Sequence, residues 1–167
     1  MKYFGVIGDQ EVHETIQPMM LKVSEYLTNQ GYTCRHGGNH GTEYYFSKGA
    51  KYQSIILPWK NFNHLSSDYC KPPKEAFDIA AEFYPKWWKA SKSMKALLAR
   101  NAQVIFGPDL HTPVEFLLTW GVNRITEHAE AVARNNFIPV YNLANVEAYK
   151  IMTAIGSNLA CNKEIIK

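Results

Sequence analysis

The run His36-Gly37-Gly38-Asn39-His40-Gly41-Thr42-Glu43 holds the densest set of chemistry-bearing residues in the chain. Glycines let a backbone turn tightly and come close to a ligand, and the free N–H groups that open a helix attract phosphate oxygens. The run therefore reads as a phosphate or ribose contact, with a purely structural strand-to-helix turn as the alternative. His36 and His40 carry ring N–H groups suited to phosphate. They lack a third ligand at a recognisable spacing, so no metal site is expected. Further groups suited to a nucleotide lie at Gly8-Asp9, Pro58-Trp59 and Gly121 to Glu127. Thr126 can cap a helix and present its hydroxyl to a phosphate, and Arg124 offers a charged fork. Asp9 and Glu43 suit ribose hydroxyls. Trp59 or Trp120 suits stacking on a base, with core packing as the alternative for both.

The elements that must position these residues follow from periodicity. Tyr3 to Ile7 reads as a buried strand. Thr15 to Asn29 places Ile16, Met19, Met20, Val23, Tyr26 and Leu27 at helical spacing and stops at Gly31. Tyr32 to Arg35 reads as a second strand, and a helix from the Gly-rich run to about Ala50 follows it. Ser54 to Leu57 is a third strand, halted by Pro58, and Trp59 to Pro73 a long loop of the kind that is often functional. Pro73 to Phe83 and Trp88 to Phe106 read as helices, Val114 to Trp120 as a strand and Thr126 to Asn135 as a helix. Ile138 to Tyr141 is a fifth strand and Asn145 to Ile155 a last helix. This alternation predicts an α/β fold, a Rossmann-like three-layer sandwich with a central, mostly parallel sheet of about five strands. Ligands of such sheets sit beyond the carboxyl ends of the strands, which is where the groups named above fall. The 167 residues are expected to form one domain, with 156–167 as a peripheral tail.

The bulk properties exclude several classes. The formal charge is +3, and Lys and Arg are dispersed rather than striped. That argues against a nucleic-acid partner. The one run, Lys86, Lys89, Lys92 and Lys95, has helical spacing and reads as a solvated helix face, with a phosphate-rich ligand or acidic partner as the alternative. Cys34, Cys70 and Cys161 are odd in number and form no CxxC pair, which points to a reducing compartment rather than a disulfide framework. No apolar run is long enough to span a membrane, and the first residues are too polar for a signal peptide. A cytoplasmic protein is expected. Phe83-Tyr84 and Trp87-Trp88 suit a helix–sheet interface or a contact between copies, and a homo-oligomer is expected.

Taken in order, the motifs resemble the SLOG superfamily, Rossmann-like proteins that include DprA-like and LOG (so-called lysine decarboxylase-like) members. The chain is most similar to small stand-alone DprA-like members of phage genomes. The resemblance rests on Gly5-Val6-Ile7-Gly8, on Gly37 to Glu43, and on Leu57-Pro58-Trp59 with Phe62-Asn63. It continues through Arg100-Asn101, Gln103-Val104, Gly107-Pro108-Asp109-Leu110, Thr126-Glu127-His128-Ala129 and Ile138 to Leu143. It departs from the family where a second Gly-rich run belongs, because Gly121 to Glu127 retains one glycine. The glutamate of LOG-type hydrolases would fall at Ala129, with Glu127 and Glu130 out of register.

The resemblance implies a nucleotide-derived small molecule as ligand, ADP-ribose-like or another nucleotide signal, and no resident cofactor. As a binder, the chain would sense or sequester that signal in the cytoplasm, the host's if phage-encoded. Gly8, Asp9, Gly37, Gly38, Asn39, His40, Gly41, Glu43, Trp59, Arg100, Asn101, Arg124 and Thr126 would contact it. The alternative is N-glycosidic hydrolysis of a nucleotide, with Arg100 orienting the phosphate and Glu127 handling protons. Single-stranded DNA binding is the least favoured class.

Overall fold

Strand β1 (Lys2–Gly8) divides its side chains between two apolar layers. Phe4 and Val6 pack with Met20, Val23 and Phe46, whereas Ile7 packs with Val104, Ile105 and Leu117. Alternate side chains on a strand face opposite ways, so a strand apolar on both faces must lie inside a sheet covered on both sides. In the computed structural model, which describes residues 1–145 together with 147, 150 and 154, that is where β1 lies. The sheet contains β2 (Tyr32–His36), β3 (Gln53–Ile55), β4 (Phe116–Trp120) and β5 (Val140–Asn142), in the order β3-β2-β1-β4-β5. Every pairing is parallel. The strand order reverses between β1 and β4, where Gly8 lies opposite Trp120. The fold is the expected Rossmann-like α/β sandwich.

Helices α1 (Gln17–Asn29) and α2 (Thr42–Gly49) pack together on one side. Helices α3 (Lys74–Glu82), α4 (Lys92–Phe106) and α5 (Arg124–Asn135) cover the other. The expected terminal helix and tail lie almost wholly outside the described residues, as does Cys161.

The expected helix from Trp88 to Phe106 is divided. Lys86 has φ 57°, a 3-10 turn covers Trp87–Lys89, and α4 begins only after Ser91, whose hydroxyl accepts the Met94 N–H at 3.1 Å. This serine cap ends one segment and opens the next, and outweighs the lysine spacing that suggested continuity. The four lysines therefore do not share one helix face.

Candidate functional site

Asp9, the residue after β1, joins three elements. Its N–H donates to the Trp120 carbonyl (2.8 Å), which extends the pairing of β1 with β4. Its carbonyl accepts the Thr42 N–H (3.1 Å) and hydroxyl (2.8 Å), fixing the start of α2. Its carboxylate accepts the N–H groups of Val122 and Asn123, each at 3.3 Å, and the Thr126 hydroxyl at 2.8 Å. A carboxylate is favoured there because the N-terminus of α5 carries unpaired N–H groups and positive potential. The same turn is capped by Asn123, whose Oδ1 accepts the Thr126 N–H at 2.9 Å. The expected phosphate position near Thr126 thus already holds an anion, and it belongs to the protein. Arg124 stands exposed with its guanidinium over the Tyr84 ring at 4.8 Å.

The Gly-rich run follows the same pattern. The Glu43 carboxylate is fully buried and accepts the N–H groups of Gly37 (3.0 Å) and Asn39 (2.9 Å). The Gly38 N–H donates to His36 Nδ1 at 3.2 Å. Nε2 is then the protonated ring nitrogen, 3.0 Å from Gln53 Oε1. Burial pushes the His36 imidazole below its ordinary pKa, against the opposing pull of Glu43, so the neutral ring is favoured. His36 is spent inside the fold. Two glycines have internal reasons as well. A side chain at Gly37 would strike the Arg100 guanidinium at 2.4 Å. Gly41 has φ 75°, and a Cβ there would lie 2.0 Å from the Gln10 carbonyl oxygen.

Arg100 lies beneath this loop with no exposure. Its Nη1 donates to the Gly37 carbonyl and its Nε to Asn101 Oδ1 at 2.9 Å, and both residues are buried. Burial lowers its pKa and the Glu43 charge opposes the shift, but a guanidinium stays protonated. Among the described residues Arg100 Nη2 and Asn101 Nδ2 have no hydrogen-bond partner. Glu127, the other catalytic candidate, is exposed in the first turn of α5, and no hydrogen bond or ion pair links it to Arg100 among the described residues.

Space for a ligand opens beside the Gly-rich run. A cavity of about 660 Å³ is bounded by Gln10, His13, His40, Gly41, Tyr44 and Tyr45. A smaller one of about 290 Å³ lies across His40 and Tyr44, with Gly38, Asn39, Lys48 and Asn63 on its walls. Of the expected contact residues, the structure brings Gly38, Asn39, His40 and Gly41 to these cavities. It seals Gly37, Glu43, Arg100 and Asn101 inside the fold, along with Gly8, against which Thr42 packs. Trp59 borders a separate cavity and is 39% exposed, while Trp120 packs against the α1–α2 core. Sequence reasoning missed the loop Gln10 to His13 and the pair Tyr44-Tyr45. The signal for the tyrosines was their position in the first turn after Gly41.

Among the described residues no His, Cys, Asp and Glu side chains gather as a metal site, and no helix is long and apolar enough to cross a membrane. The fold and the cavities at the end of β1 and the start of α2 define a parallel α/β domain of Rossmann type. In fold the chain is similar to the molybdenum cofactor carrier protein from Chlamydomonas reinhardtii, seen in two solved structures. One aligns with a TM-score of 0.52 over 100% of both chains, the other with 0.53 over 99% of this chain and 97% of that one, each at 18% identity. No protein-family model and no curated protein matches the chain. The resemblance to the SLOG superfamily therefore rests on the ordered motifs of the sequence alone.

Proposed function

We propose that the protein binds a nucleotide-derived small molecule at the carboxyl edge of the sheet and holds it without consuming it. The observation that carries this reading is the 660 Å³ cavity beside the Gly-rich run, large enough for a small organic ligand. His40, Tyr44 and Tyr45 line it, and each brings an aromatic ring and a polar group. A carrier or sequestering role is favoured over hydrolysis because Arg100 serves the Gly-rich turn from inside and the exposed Glu127 makes no ion pair among the described residues. The similar structures belong to a protein named as a carrier of the molybdenum cofactor, which supports small-molecule binding at the level of fold. In a phage-type relative of SLOG proteins, such a pocket would capture a host nucleotide signal.

The test is a panel of AMP, ADP-ribose, cyclic ADP-ribose isomers, NAD and cyclic dinucleotides. Thermal unfolding is followed by mass spectrometry of each mixture. A ligand at a hundred times its Kd adds about 2.7 kcal/mol, on the order of 5–10 °C for a chain of this size. The expected result is such a shift with the ligand recovered intact, and its loss in a His40→Ala/Tyr44→Ala variant. A free base with a ribose phosphate would make the protein a hydrolase. A shift untouched by the double variant would remove this cavity from the site.

A further inference from the structure

Trp59 does not border the cavities at His40 and Tyr44. It forms a wall of another, of about 630 Å³, shared with Pro58, Phe77, Lys71, Lys92 and Lys95. This cavity has no residue in common with the one beside the Gly-rich run. It forms where the chain leaves β3, returns through Lys71, and enters α3 and α4. The Trp59 ring packs edge to face with Phe62, at 5.1 Å between centroids, and the residue is partly exposed. The cavity has no acidic lining residue. None of its three lysines is ion-paired among the described residues. Lys92 and Lys95 stand in the first turn of α4, where helix polarity adds to their positive potential. Lys95 Nζ is steadied over the Trp87 ring at 5.5 Å.

Three lysines and no acidic residue border this apolar hollow, and that charge pattern favours a bound anion. An inorganic anion would leave the Trp59 and Phe77 walls unused. A neutral ring would leave the lysines without a partner in the ligand. We infer that this cavity is a second binding site, which takes a flat aromatic ring bearing a phosphate or carboxylate. The ring lies against Trp59 and the anion among Lys71, Lys92 and Lys95. The lysine run that the sequence presented as a solvated face thus contributes two members to one site, because the break at Ser91 turns Lys92 and Lys95 onto a new helix. This site stands independently of the ligand proposed for the Gly-rich run.

The test uses the full chain with four probes: AMP (ring and phosphate), benzoate (ring and carboxylate), ribose 5-phosphate (anion without ring) and adenosine (ring without anion). Binding is read from the indole N–H resonance of Trp59, assigned with Trp59→Phe. AMP or benzoate should move that resonance saturably, and which of them does so identifies the anion. Ribose 5-phosphate and adenosine should bind at least about tenfold more weakly, as loss of one base stack or of the anion contacts implies. Lys92→Glu/Lys95→Glu should weaken binding by at least about tenfold, while His40→Ala/Tyr44→Ala should leave it unchanged. The inference is overturned if neither AMP nor benzoate moves the Trp59 resonance, or if the charge reversals leave affinity intact. It is also overturned if the His40/Tyr44 variant abolishes the response, a result that would leave the site beside the Gly-rich run standing.

Discussion

Replacing Glu43 with glutamine keeps the shape of a fully buried side chain and removes its charge. In the native fold its carboxylate accepts two backbone N–H groups, from Gly37 and Asn39, and opposes the buried charge of Arg100. A hydrogen bond to a charged acceptor contributes about 1.5–3 kcal/mol and a neutral one about 0.5–1.5, so two such bonds lose about 2 kcal/mol together. Arg100, left without a compensating anion, adds on the order of 1 kcal/mol, since no direct ion pair is broken. The expected loss is about 3 kcal/mol, or a midpoint lowered by about 6–12 °C at this chain length. Urea unfolding followed by circular dichroism measures it, with an unchanged m-value showing that the compactness of the end states is preserved. Arg100→Met in the same background completes a cycle. If charge compensation is the cause, the double variant will be less destabilised than the sum of the singles by about 1 kcal/mol or more. A single-variant loss under about 1 kcal/mol, or additivity within about 0.5 kcal/mol, refutes the reasoning.

Asp9→Asn should cost about 2 kcal/mol, because an amide offers one acceptor where three donors converge and also loses the attraction of the α5 terminus. A loss under about 0.5 kcal/mol in urea unfolding would show that this tie does not hold the loop. Gly41→Ala should destabilise the fold by about 3 kcal/mol or more, since it combines a left-handed φ with a Cβ inside contact distance of the Gln10 carbonyl; near-native stability would contradict the close approach. Burial depresses both His36 and His128 below the ordinary value of 6.5. Below pH 6.5 the unfolded chain therefore binds protons that the folded chain refuses. Stability is full above that pH and falls as pH drops, by at most about 1.4 kcal/mol per pH unit for each ring. Unfolding curves at pH 7.5, 6.5 and 5.5 should show this fall, and His128→Gln should reduce its slope; a flat profile would mean that both rings protonate freely in the fold.

The sequence by itself determined the layering. Apolar alternation in β1 and helical spacing in α1 are local periodic signals, and they forced a parallel sheet covered on both faces, with the odd residues gathered at the strand ends. It also exposed the Gly-rich run, because glycine density is visible without coordinates. What it did not determine was which polar groups meet one another. Only the tertiary structure placed Asp9 on the turn before α5, more than a hundred residues away in the chain, and folded Glu43 back onto its own loop. Both carboxylates have the residue type and position that a ribose contact would need, and pairing across loops leaves no periodic trace. The same applies to Arg100, whose place in the motif suggested a phosphate and whose burial serves the Gly37 turn instead. Trp59 and the lysines of α4 were each legible as residues. Their convergence on one cavity depends on where β3 ends and where Ser91 restarts the helix, and packing and capping in three dimensions decide that.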